Sequence, residues 1–273
     1  MTPPTRLNVL TYRTGPDDLL PVVLLHAFPL DSRMWDDVAP LVPGPRNVLA
    51  VDLPGLGGSA GPGTSAPSLD DAADAVAATL VAVGLTRAVV VGLSMGGYVA
   101  LALLDRHPGL VAGLGLLDTR STADDDGTRA KRLRVAGELE SSGTVDAVRP
   151  MATSLLGETS QTLRPELADR IGVLIDQQTP AGVAWSQRAM AARPDRTDVL
   201  RRFAGPALVL VGDEDVAAPV AAAEHMVSAL AAAHLVVVPH AGHLTAVEDP
   251  GTVAAAIGEL AGRADADDRR ARG

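Results

Sequence analysis

Short apolar runs that do not alternate with polar residues constrain this chain most. Val22-Val23-Leu24-Leu25 is the clearest, and comparable runs stand at Val48 to Leu53, Ala88 to Gly92, Leu114 to Leu117, Ala207 to Val211 and Leu235 to Val238. A strand with one wet face alternates, whereas a strand apolar at every position needs cover on both faces. Arg6 to Arg13 reads as a further strand. Helical patterns lie between the runs. Leu69 to Val83 has apolar residues at 69, 72, 73, 76, 77 and 80, one face of a 3.6-residue period, with Ser68 and Asp71 in a capping-box spacing and Gly84 at the exit. Val220 to Ala233 and Val253 to Leu260 read as later helices of the same kind. The expected fold is α/β: a mostly parallel central sheet flanked by helices.

From about Thr119 to Arg202 the strand pattern stops. Helical patterns replace it, Leu163 to Ile175 among them, broken at Gly143, Gly157, Pro165 and Thr179-Pro180. The expected domains are a core over 5–119 and 203–262 and an inserted helical cap over 120–202. The remaining stretch, 263–273, has no large apolar residue and is expected to be a disordered tail.

Composition narrows the function. With 273 residues the chain can bury about three quarters of its unfolded surface without cross-links. Its formal charge of −10, with Lys131 the only lysine, argues against nucleic acid or anionic lipid as a partner. The absence of cysteine removes disulfides, thiolate metal sites and a Cys nucleophile. Met1 to Pro4 lacks a signal pattern and no apolar run approaches the ~20 residues of a membrane span, so a cytoplasmic protein is expected.

Gly92-Leu93-Ser94-Met95-Gly96-Gly97 follows one apolar run and precedes the apolar-faced stretch Tyr98 to Leu104. G-x-S-x-G between a strand and a helix makes a sharp turn that exposes the serine hydroxyl, with the Met95 N–H aimed at a developing oxyanion. Ser94 needs a base. Of six histidines, His243 in His240-Ala241-Gly242-His243 follows a strand at the mouth of the sheet, where Gly242 lets the loop turn; His240 is its competitor. An orienting acid is offered by Asp213, Glu214 or Asp215 after another strand, or by Asp118 after an earlier one, and spacing leaves these open.

Leu25-His26-Ala27-Phe28-Pro29 also ends a strand and can supply a second oxyanion N–H, from Phe28. Gly55-Leu56-Gly57-Gly58-Ser59-Ala60 formally fits a dinucleotide fingerprint, but Pro54, Gly61, Pro62, Gly63 and Pro67 prevent the helix that fingerprint requires, so it reads as a loop. Of the six aromatic residues, Phe28, Trp35 and Tyr98 sit on or just after these turns, and Trp185 lies in the helical insertion. Trp35, Tyr98 and Trp185, with Met190, are candidates for an acyl pocket.

Together these segments resemble the α/β-hydrolase family over roughly residues 5–262. The likeness rests on His26-Ala27-Phe28-Pro29, Asp52-Leu53-Pro54-Gly55-Leu56-Gly57-Gly58-Ser59, the turn at Ser94, Gly212 to Asp215 with Pro219, and Ala241-Gly242-His243. It implies Ser94, Asp215 and His243 as catalytic residues, Asp215 standing four before Pro219, and the N–H groups of Phe28 and Met95 as oxyanion donors. Two positions depart from the pattern: Ala27 stands for the usual glycine, and Leu93 for the usual histidine before the nucleophile. Neither removes a donor or a triad member.

The resemblance implies hydrolysis of a small-molecule ester or lactone through an acyl-enzyme, with no cofactor and no metal required. It leaves two alternatives: a hydrolase-fold ligand sensor with slow turnover, or a cofactor-free perhydrolase. Arg188 and Arg193 are read as solvated surface arginines rather than as a clamp for a substrate carboxylate.

Overall fold

The computed structural model describes residues 6–61 and 66–272. Met1 to Pro4, Pro62, Gly63 and the final Gly273, all used in the sequence reading, lie outside them. Among the described residues, seven strands form one sheet in the order β1-β3-β2-β4-β5-β6-β7. They are β1 Val9–Arg13, β2 Val22–Leu25, β3 Val48–Val51, β4 Ala88–Leu93, β5 Val111–Leu117, β6 Ala207–Gly212 and β7 Ala233–Val238. Only β1 runs antiparallel to its neighbour, β3; the other pairings are parallel.

Every residue of β2, β3, β4, β5 and β6 is buried, which is what their unbroken apolar sequence requires of strands covered on both sides. The core helices are α1 Leu69–Ala82 and α2 Met95–Arg106, and after β6 α9 Val220–Ala229, α10 Thr245–Glu248 and α11 Pro250–Arg272. α2 packs on β2, β4 and β5, while α11 packs on β4, β5 and β6. Ser68 caps α1 by accepting the Asp70 N–H.

Between β5 and β6 the chain forms only helices: α3 Asp126–Ser142, α4 Met151–Ser154, α5 Glu158–Leu163, α6 Glu166–Asp176, α7 Pro180–Ala191 and α8 Thr197–Arg202. This helical insertion occupies the stretch expected to form a cap, and the breaks sit at the residues whose chemistry makes them. Gly143 closes α3 at φ 68°, Gly157 stands at the head of α5, Pro165 at the head of α6, and Thr179 caps α7 through the Gly182 N–H.

Three expectations need correction. The helix expected over Leu163 to Ile175 is divided at Arg164-Pro165, because proline cannot continue a helix it enters from behind, and Leu163 is exposed. The helix expected to reach Ala233 ends at Ala229, and Ala233 already pairs with Ala207 in the sheet. The expected disordered tail is instead helix as far as Arg272. Polar anchors hold it: Asp265 is buried, accepts the Leu20 N–H and pairs with buried Arg46 at 2.9 Å, while Asp268 pairs with Arg87.

Candidate active site

The ends of β2, β4, β5 and β6 and the loop after β7 bring the candidate residues to one edge of the sheet. Ser94 joins β4 to α2 at φ 52° and ψ −111°, a conformation that L-residues rarely adopt. Two close approaches explain its glycines. A Cβ on Gly92 would lie 2.1 Å from the Gly96 carbonyl oxygen, and a Cβ on Gly96 would lie 2.1 Å from that of Leu25. The turn is thus tight within itself and pressed against β2. Thr119 Oγ1 donates to the Ser94 carbonyl at 2.8 Å and ties the turn to the end of β5.

Ser94 Oγ stands 2.8 Å from His243 Nε2, and His243 Nδ1 stands 2.8 Å from Asp215 Oδ2. A carboxylate accepts only, so Nδ1 carries the proton and donates to Asp215, which leaves Nε2 free to accept from the serine hydroxyl. Asp215 Oδ1 accepts the Ala217 and Ala218 N–H groups at 2.7 and 2.8 Å. Burial alone would raise the Asp215 pKa. The His243 hydrogen bond and charge and the two amides outweigh that, so the carboxylate is held below its usual range.

The other acids are engaged elsewhere. Asp213 accepts the His240 N–H, and Glu214 accepts from Thr159 N and Oγ1. Asp118 is fully buried, accepts the Gly212 N–H at 3.2 Å and takes Thr245 Oγ1–H and N–H at 2.6 and 3.1 Å. Burial, then the neighbouring Asp215 charge, pushes its pKa well above the carboxylate range, against the lowering effect of those hydrogen bonds. His240, the competing base, is exposed at φ 58° beside Glu214.

Met95 N–H opens α2, where no helical carbonyl stands behind it, and among the described residues neither it nor Phe28 N–H donates to a protein acceptor. The turn that carries Phe28 is fixed by a residue the sequence reading named only as part of a motif. His26 is fully buried, donates from Nδ1 to the Ala27 carbonyl at 2.9 Å and accepts the Leu53 N–H on Nε2 at 2.8 Å. Burial lowers its pKa, against weaker raising effects of the Ala27 carbonyl and of Asp52 and Asp31, so the ring is neutral. The glycine loop is built around Asp52, whose carboxylate accepts from Asn8 Nδ2, Ser32 N and Gly58 N at 2.7, 2.8 and 2.8 Å. Residues 54–61 form turns and no helix, as the loop reading required.

The four pocket candidates separate. Trp35 is completely buried in the core, so it borders no space large enough for water. Tyr98 is buried under the Arg193 guanidinium, 4.0 Å from its ring centroid. Met190 is buried on α7, its sulfur accepting from Arg132 Nη1 at 3.4 Å. Trp185 is half-buried on the same helix, and its indole N–H meets no acceptor among the described residues. Arg188 is exposed against Glu140. Arg193, expected at the surface, is buried and paired with Asp124 at 2.8 Å, because the ring of Tyr98 and the carboxylate together replace its water. One contact of the insertion with the base loop was not anticipated: the Leu155 carbonyl accepts the His243 N–H at 2.9 Å.

Comparison with known proteins agrees with the fold. A family model described as the alpha/beta hydrolase fold matches residues 21–250. A pimeloyl-[acyl-carrier protein] methyl ester esterase of Neisseria meningitidis serogroup A is 31% identical over 219 residues, covering 78% of this chain and 68% of that protein. The structure of a thermophilic esterase from Thermogutta terrifontis, described as malate bound, superposes with a TM-score of 0.88 at 36% identity, covering 95% of this chain and 94% of that one. An enol-lactonase from Burkholderia xenovorans LB400 shares the fold at a TM-score of 0.78 and 22% identity, with 91% and 94% covered.

Proposed function

The chain belongs to the α/β-hydrolase fold family, and from that membership we propose that it is a serine hydrolase that cleaves a small carboxylic ester or lactone through an acyl-enzyme. The observation that carries the reading is the unbroken relay from Ser94 Oγ through His243 to Asp215, 2.8 Å at each step. The likeness to proteins named as esterases supports an ester bond as the target.

In this mechanism Ser94 Oγ attacks the substrate carbonyl carbon while its proton passes to His243 Nε2. Asp215 holds the ring in the Nδ1–H tautomer and stabilises the imidazolium that forms. The carbonyl oxygen becomes an oxyanion against the N–H groups of Phe28 and Met95, each such donor typically lowering the barrier by about 3 kcal/mol. The bond to the leaving alkoxide breaks as His243 returns the proton to it. Water then attacks the acyl-Ser94 carbonyl, losing its proton to His243, and collapse releases the acid and the free serine. The strained turn at Ser94 stores on the order of 1–3 kcal/mol that the surrounding strand and helix must offset.

A panel of p-nitrophenyl esters from short to medium acyl chain, with simple lactones beside them, tests the reading. Sustained turnover on the order of 1 s⁻¹ or faster supports an enzyme. One burst followed by stalling supports a ligand sensor in its place.

A further inference from the structure

Four successive amides carry the loop that holds the base, and none of them is left to solvent. Gly242 N–H donates to Glu248 Oε1 at 3.0 Å, His243 N–H to the Leu155 carbonyl at 2.9 Å, Leu244 N–H to Glu248 Oε1 at 3.2 Å and Thr245 N–H to Asp118 Oδ2 at 3.1 Å. One oxygen of Glu248 therefore grips the backbone on both sides of His243. Its other oxygen, Oε2, accepts the Gly157 N–H from the cap at 2.9 Å. The side chain is 3% exposed. Buried carboxyl oxygens need donors in place of their hydration, and here three amides supply them.

Local capping accounts for part of this. Glu248 N–H donates to the Leu244 carbonyl at 2.9 Å, and an acid that folds back on its own first turn is a common helix start. Local capping does not account for Gly157, which lies 91 residues away. Nor does it account for the packing there: a Cβ on Gly242 would stand 2.2 Å from Gly157 N, so cap and base loop meet backbone to backbone. Arg164 reinforces the junction by donating to the Glu248 carbonyl at 2.6 Å.

Resting on the serine-hydrolase reading above, we propose that Glu248 is the positioning residue of the base, and that its two oxygens couple the placement of His243 to the seating of the cap. The carboxylate is planar and rigid, so a shift of the cap at Gly157 moves the acceptor that fixes Gly242 and Leu244. His243 moves with them relative to Ser94.

The two oxygens have different duties, and that makes the test specific. Glu248→Gln keeps an acceptor for one side only. With its carbonyl toward Gly242 and Leu244, its NH₂ group faces the Gly157 N–H, and the cap contact is lost while the base loop stays held. Glu248→Ala loses both. Steady-state kinetics are measured on the p-nitrophenyl ester that wild type turns over fastest, with amide hydrogen exchange followed in the same three proteins. Glu248→Gln is expected to raise KM with kcat largely kept and to speed exchange at Gly157. Glu248→Ala is expected to lower kcat about 100-fold, the usual cost of displacing a reacting group by an ångström, and to speed exchange at Gly157, Gly242 and Leu244 together. A folded Glu248→Ala with wild-type kcat overturns the proposal. If that variant does not fold, Glu248→Gln decides, and unchanged kinetics with unchanged exchange at Gly157 overturn it. If wild type turns over no ester, the serine-hydrolase reading fails by itself. The coupling is then judged by exchange, and it is overturned if Glu248→Ala leaves Gly157 as protected as in wild type.

Discussion

At the scale of single residues, two buried carboxyl groups near the base have opposite tasks. Asp215 faces His243 and is held ionised, whereas Asp118 faces Thr245 and Gly212 and is pushed toward its neutral form. Asp215→Asn should lower kcat by about 10³–10⁴, because an amide favours the wrong tautomer of His243; pre-steady-state kinetics would show the loss in acylation. Asp118→Asn should leave the triad's tautomer alone and change the pH dependence of stability. A raised folded pKa contributes stability that is fully present below about pH 4 and is lost as pH rises toward the folded value. Thermal melts from pH 4 to 8 should therefore show wild type losing stability relative to Asp118→Asn as pH rises, and parallel curves would contradict this. The turn at Ser94 is legible in the sequence because the glycine spacing between a strand and a helix fixes where the hydroxyl goes. The acid was not legible from spacing. Asp213, Glu214 and Asp215 are consecutive in a tight turn, so their side chains leave in different directions, to His240, Thr159 and His243.

At the scale of elements, the insertion was legible from the loss of strand pattern after β5, and its breaks from Gly143, Gly157, Pro165 and Thr179. Its inner face was not, because apolar periodicity says that a side chain is buried without saying against what. Trp35 and Met190 are as buried as core residues, whereas Trp185 keeps partial exposure; the indole N–H groups of both tryptophans are buried without an acceptor among the described residues. Trp185 is the pocket candidate that stays partly exposed, so it is the one to test for a substrate contact. Trp185→Ala should shift acyl-chain preference by about 1–3 kcal/mol in relative kcat/KM, measured across a p-nitrophenyl ester series. Lost folding with unchanged preference would make it a packing residue. The cap is also tied to the core away from the base loop. Gln178 donates to Asp31 Oδ2 at 2.8 Å and accepts the Gly57 N–H at 2.9 Å, which joins α6 and α7 to the turn that carries Phe28. These ties favour a cap that is seated as a unit over one hinged at a single point.

At the scale of the whole molecule, the chain closes on itself through its last helix. No large apolar residue in 263–272 announces this, and the partner that buries Asp265 lies 219 residues earlier. Local composition carries no information about a pairing at that distance, which is why composition alone points to a disordered tail. Truncation after Gly262 would leave Arg46 buried without its acid, at a cost of about 3–5 kcal/mol. A fall in Tm on the order of 10 °C is expected in a thermal melt, and an unchanged Tm would make the extension dispensable. Among the described residues no helix is long and apolar enough to cross a membrane. The most direct measurement is the intact mass of the protein after reaction with a serine-directed fluorophosphonate, followed by peptide mapping and read beside ester turnover. One adduct per chain on Ser94, formed in step with loss of activity and absent from an inactive, folded Ser94→Ala variant, is the predicted result. An adduct at Ser59 or Ser121 in its place, or a Ser94→Ala variant that hydrolyses esters at the wild-type rate, would contradict it.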